Sequence, residues 1–115
     1  MSTLELLHNP RCSKSRQTLE LLNNKGLEPT IIEYLKTPLS EKEIEALATK
    51  LKLQPSQFLR KGEFSKLDIE MADTEAGLIK QMTEFPILIE RPILINGDRA
   101  QIGRPPESVL EILND

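Results

Sequence analysis

Two turn-bounded strands enclose one uninterrupted helix at the start of the chain, and that order allows few folds. Leu4-Glu5-Leu6-Leu7 is a short apolar run that stops at the turn signal His8-Asn9-Pro10, so it reads as a buried strand. From Ser13 to Lys25 there is neither Gly nor Pro. Leu19 and Leu22 lie three apart with Leu21 beside them, and Gly26 supplies the residue that ends the helix. Pro29 then opens Thr30-Ile31-Ile32-Glu33-Tyr34-Leu35, rich in β-branched and aromatic residues, as a second strand. Strand, helix and strand joined by short links make a βαβ unit, so the two strands run parallel.

The middle of the chain is helical. Ser40 with Glu43 three residues later forms a capping box, and Ile44, Leu47, Ala48 and Leu51 follow at helical spacing. Pro55 suits the first turn of a short helix carrying Phe58 and Leu59. A third helix starts near Asp73 and presents Leu78, Ile79 and Met82. Pro92-Ile93-Leu94-Ile95 and Arg99-Ala100-Gln101-Ile102 flank Asn96-Gly97-Asp98, a hairpin signal. Glu107 to Leu113 reads as a last helix, with Val109, Leu110 and Leu113 as its buried face. The order is β-α-β, helical insert, β-β-α. It predicts an α/β thioredoxin-like fold, a mixed four-stranded sheet with helices packed on it.

Composition narrows the function. The 115 residues fit one domain spanning 1–115, and the net charge of −3 argues against nucleic acid or anionic lipid as the main partner. The aromatics are Tyr34, Phe58, Phe64 and Phe85, too few for a base-stacking surface. No apolar run approaches the roughly 18 residues of a membrane span. The N-terminus lacks a basic segment followed by an apolar one, so no secretory leader is expected. With one cysteine, Cys12, and one histidine, His8, an internal disulfide and a Cys-rich or Cys–His metal site are both excluded. A lone thiol of this kind fits a reducing cytoplasm. No large exposed apolar stripe is evident, and a monomer is expected.

Cys12 falls between the first strand and the first helix. A residue there faces the unpaired N–H groups of Ser13, Lys14 and Ser15 and the positive end of the helix dipole. Both favour a thiolate and lower the thiol pKa from about 8.5. The same donors favour a bound oxyanion, and Arg11, Lys14 and Arg16 add positive charge. Position alone leaves two readings open, a reactive thiol or an inert helix-terminal residue. Counting removes two motifs. The phosphotyrosine-phosphatase loop needs arginine where this chain has Thr18, and a dithiol redox motif needs cysteine where it has Ser15. Any disulfide partner of Cys12 must therefore come from another molecule.

His8 either hydrogen-bonds the thiolate or simply ends the strand, and Ser15 either hydrogen-bonds the thiolate or acts as a cap in the first helical turn. Arg60, Arg91 and Arg104 are ordinary surface residues by type. Arg91 precedes Pro92, however, and Arg104 lies in Gly103-Arg104-Pro105-Pro106, so both backbones are conformationally restricted and can aim a guanidinium at a small target. Arginines gathered around one thiolate would suit a multiply charged oxyanion.

The segments His8-Asn9-Pro10-Arg11-Cys12-Ser13-Lys14-Ser15-Arg16, Tyr34-Leu35-Lys36-Thr37-Pro38, Leu59-Arg60, Glu90-Arg91-Pro92-Ile93 and Gly103-Arg104-Pro105-Pro106-Glu107 occur in this order along nearly the whole chain. In them the sequence resembles the glutaredoxin-dependent arsenate reductase family. The resemblance implies Cys12 as nucleophile, an oxyanion site of Arg60, Arg91 and Arg104, His8 and Ser15 as residues that tune the thiol, and Pro92 as a cis-proline ahead of the third strand. It implies arsenate as substrate, glutathione as co-substrate, glutaredoxin as protein partner, and no bound cofactor. Two other functions compete. One is a glutathione-dependent thiol–disulfide oxidoreductase that does not act on arsenate. The other is a non-enzymatic regulator of the Spx type, which usually carries a Cys-x-x-Cys switch that Ser15 removes here.

Overall fold

The computed structural model describes residues 4–113. Its contacts group into two compact units, residues 1–34 with 91–115, and residues 35–90. The first unit carries the sheet: β1 (Leu4–Leu7), β2 (Thr30–Ile32), β3 (Ile93–Asn96) and β4 (Arg99–Ile102), in the order β2-β1-β3-β4. β1 and β2 pair in parallel, as the crossover requires, with Leu6 opposite Ile31. β3 runs antiparallel to β1 and to β4, with Leu6 opposite Leu94 and Asn96 opposite Arg99. The sheet is therefore mixed and four-stranded, as the order of elements implies. Gly97 turns the β3–β4 hairpin at φ +65, a conformation that needs no side chain.

The crossover is α1 (Ser13–Asn24), which ends where Gly26 adopts φ +78. Leu22 from α1 meets Leu6, Leu94, Val109 and Ile112 in a buried cluster that joins helix and sheet. The strand expected over Thr30–Leu35 is shorter: it stops at Ile32, where the N–H of Tyr34 turns back to the Ile32 carbonyl. The last helix is a 3-10 helix over Pro106–Ile112, not an α-helix. Side chains three apart line up on such a helix, so Pro106, Val109 and Ile112 are buried, whereas Leu110 and Leu113 are only half-buried.

The second unit holds α2 (Glu41–Leu51), α3 (Glu63–Leu67) and α4 (Glu75–Glu84), with short 3-10 helices at Pro55–Gln57 and Pro86–Leu88. The capping box forms as expected: Ser40 Oγ accepts from the Glu43 N–H, and the Glu43 carboxylate accepts from the Ser40 N–H. α4 begins at a Thr74 cap, just past Asp73, and buries Leu78 and Met82. Its neighbours are α2 and both 3-10 helices. Leu59 bridges to Ile89, and the Arg60 N–H donates to the Leu88 carbonyl at 2.7 Å, which ties the backbone at Arg60 to the last segment of the unit. Among the described residues no helix is long and apolar enough to cross a membrane.

Candidate active site

Cys12 is the N-cap of α1, with an extended backbone (φ −95, ψ 123) and a half-buried side chain. It occupies this place because β1 ends in a tight turn. The Cys12 N–H donates to the Asn9 carbonyl at 3.0 Å, and the Cys12 carbonyl accepts the first helical bond from Arg16 at 3.0 Å. The first turn of α1 holds no acidic side chain. Arg11, Lys14 and Arg16 are exposed around it, and Arg16 Nη1 donates to the Pro10 carbonyl at 2.9 Å.

Burial raises the Cys12 pKa, but the opposing groups outweigh it and the thiol lies below its ordinary value. Those groups are the Ser15 N–H, the Arg91 guanidinium through both its charge and a hydrogen bond, and the Lys14 N–H. The Cys12 side chain makes no cap hydrogen bond to α1. Arg104 Nη2 stands 3.7 Å from Cys12 Sγ.

The two arginines are joined to each other. Arg104 Nε donates to the Arg91 carbonyl at 2.8 Å. The peptide bonds Arg91–Pro92 and Arg104–Pro105 are both cis, so Pro92 has the conformation that the family resemblance implies. The Gly103 N–H donates to the Pro92 carbonyl at 2.9 Å. At Gly103 a Cβ would stand 2.7 Å from Thr18 Oγ1 and 2.8 Å from Pro92 Cγ, so the Arg104 loop passes close to both α1 and Pro92. Arg91 Nε and Nη1 are buried and have no hydrogen-bond partner among the described residues. Buried guanidinium donors without acceptors are costly.

His8 and Ser15 form one unit. His8 Nδ1 lies 2.6 Å from Ser15 Oγ, which also accepts from the Asn9 N–H at 3.0 Å. Both residues are buried, His8 at 7% exposure and Ser15 at 0%. The Ser15 hydroxyl is thus engaged with His8 and Asn9, and it is the Ser15 backbone N–H that acts on the thiol. Burial, the largest effect, holds the His8 pKa below its ordinary value; Glu33 pulls it up and Arg16 down. As pH falls, the unfolded chain takes up this proton before the folded one does. Stability is therefore full above about 6.5 and declines as the pH drops through that value toward the folded pKa. His8→Gln is expected to flatten this part of the profile between pH 7.5 and 5.5, measured by urea unfolding. An unchanged slope would show that His8 is not held neutral.

Arg60 belongs to the second unit. There its Nη1 lies 3.6 Å from Glu63 Oε2 and its Nε 3.9 Å from Glu90 Oε1. Both ion pairs are too long to be hydrogen bonds, and the buried Nη1 has no hydrogen-bond partner among the described residues. Asn9 and Thr18 are the residues around Cys12 that sequence reasoning passed over. The Asn9-Pro10 turn signal was visible, but nothing in it says where the Asn9 amide points. Among the described residues, no group of three or more His, Cys, Asp or Glu side chains could hold a metal ion.

A family model for the ArsC family matches residues 7–112. The chain belongs to the ArsC family. This ArsC-family chain is 48% identical over 112 residues to an arsenate reductase of Haemophilus influenzae, covering 94% of this chain and 97% of that protein. It is 41% identical to an arsenate reductase of Escherichia coli K12, covering 100% of this chain and 84% of that protein. Among solved structures, an arsenate reductase from Vibrio cholerae superposes with a TM-score of 0.85 at 40% identity, covering 96% of this chain and 98% of that one.

Proposed function

We propose that this protein is an arsenate reductase that uses Cys12 as nucleophile and takes its electrons from glutathione and glutaredoxin. The observation that carries the reading is the lone thiol at the head of α1, with Arg91 acting on it and Arg104 Nη2 at 3.7 Å. The names of the similar proteins support it.

The Cys12 thiolate attacks arsenic(V) and an arsenate oxygen leaves as water after protonation, which gives a sulfur–arsenic bond. Arg91 and Arg104 bind the oxyanion and balance its charge as it redistributes. Arg60 is assigned the third cation on the strength of its place in the Leu59-Arg60 motif. Glutathione then attacks the adduct. Two electrons pass to arsenic, arsenite leaves, and Cys12 remains as a mixed disulfide with glutathione. In sum, one protein thiol, one glutathione and arsenic acid give the mixed disulfide, arsenous acid and one water. Glutaredoxin resolves the disulfide, since the chain has no second cysteine to do so. His8 and Ser15 tune the thiol through their mutual contact. The protein works as a cytoplasmic monomer, without a bound cofactor.

The test is arsenate-dependent NADPH oxidation in a system of glutathione, glutathione reductase and glutaredoxin. Turnover that needs arsenate and falls without glutaredoxin is expected, and Arg60→Ala is expected to reduce it. A second reading, a glutathione-dependent thiol–disulfide oxidoreductase, is favoured by Ser15 in place of a second cysteine. Turnover of a model disulfide without arsenate, insensitive to Arg60→Ala, would establish that reading instead.

A further inference from the structure

The turn that delivers Cys12 to the helix is closed by one residue, Asn9, which is only 6% exposed. Three of its groups make bonds within the turn and its surroundings. Its amide oxygen accepts from the Arg11 N–H at 3.0 Å, its carbonyl accepts from the Cys12 N–H at 3.0 Å, and its own N–H donates to Ser15 Oγ at 3.0 Å. The first is an Asx-turn and the second a β-turn with Pro10 at its second position, where a fixed φ is favourable. The partners are the residue before the cysteine, the cysteine itself, and the serine that holds His8.

We propose that Asn9 is a positioning residue for Cys12, its amide oxygen and main chain locking the 9–12 turn so that the sulfur emerges at the head of α1 beside Arg91 and Arg104. The proposal rests on Cys12 being the nucleophile. Cys12 lies outside the helix with an extended backbone, so no helical bond of its own N–H fixes it, and that N–H is spent on Asn9. Without the Asn9 side chain the Arg11 N–H loses its acceptor, and one of the two closures of the turn is gone. A modest rotation of the Cys12 backbone would then carry the sulfur away from the N–H groups of Ser15 and Lys14.

The test compares Asn9→Ala with Asn9→Ser, because a serine hydroxyl accepts the same N–H, though more weakly. The readout is the pH dependence of Cys12 alkylation by iodoacetamide, which needs no arsenate, with kcat/KM for arsenate measured beside it and circular dichroism as the check on folding. Asn9→Ala is expected to move the thiol midpoint upward and to lower the thiolate fraction at neutral pH by roughly threefold to tenfold. Asn9→Ser is expected to recover at least half of that change. A midpoint in Asn9→Ala equal to that of the unsubstituted protein, or a serine variant no better than the alanine one, would overturn the role of Asn9 and leave the reading of Cys12 standing. An ordinary thiol midpoint in the unsubstituted protein would overturn both. If Asn9→Ala does not fold, amide exchange of the Arg11 N–H in the unsubstituted protein decides: protection supports the turn, and exchange at the rate of an unstructured peptide overturns it.

Discussion

Cys12→Ser is expected to lose arsenate-dependent turnover by at least about a thousandfold, the scale seen when a catalytic nucleophile is removed. The loss has two sources. The Ser15 and Lys14 N–H groups and the Arg91 guanidinium favour a thiolate, but a serine hydroxyl is far too weak an acid for them to ionise near neutral pH. An oxygen also cannot do what the sulfur must do after the attack, since the electrons that reduce arsenic are released as a sulfur–sulfur bond forms. The variant is expected to stay folded, because the side chain makes no cap hydrogen bond and is only half-buried. The measurement is the coupled NADPH assay with circular dichroism on the same sample. A folded serine variant that retained turnover would remove Cys12 from the mechanism.

Arg91→Ala is expected to lower kcat/KM for arsenate by about a hundredfold or more, in line with the loss of a preorganised donor to developing negative charge. It is the half-buried arginine of the pair, and its buried Nε and Nη1 have no acceptor among the described residues, so its charge is less screened by water than that of the exposed Arg104. The same change is expected to raise the thiol pKa, because Arg91 lowers it through both its charge and a hydrogen bond. Arg104→Ala is expected to cost less on both counts. Arg91→Lys is expected to recover only part of the loss, since a point charge cannot reproduce the forked geometry of a guanidinium. Steady-state kinetics on the three variants check the ranking; an Arg104→Ala defect larger than that of Arg91→Ala would reverse it.

Much of the fold was legible because local signals and tertiary packing agree in this chain. The gap-free run from Ser13, the Ser40–Glu43 cap and the Asn96-Gly97-Asp98 turn each specify an element by chemistry within a few residues, and each element forms. The signals that misled were propensities without a partner. Tyr34 and Leu35 favour a strand by type, but the chain turns at Ile32 and the strand ends there. The last helix shows a run of apolar residues compatible with two helical periods. Packing of Pro106, Val109 and Ile112 selects the tighter one.

The site was legible in residue type and not in arrangement. Cys12 could be read from its place at a strand–helix junction. That Arg104 stands beside it depends on a contact across 92 positions, which no local signal encodes. The prolines after Arg91 and Arg104 marked both as restricted, but a restricted backbone does not say what the side chain faces. Ser15 shows the same limit: the sequence left its hydroxyl either as a partner of the thiolate or as a cap in the first helical turn, and in the structure the hydroxyl bonds His8 and Asn9.

The most direct measurement is the pH dependence of Cys12 alkylation in the unsubstituted protein and in Arg91→Ala. A midpoint clearly below about 8.5 in the first, moved upward in the second, is expected of a thiolate held by a cation and a helix N-terminus. A midpoint at or above the ordinary value in the unsubstituted protein, or one that Arg91→Ala leaves in place, would contradict it.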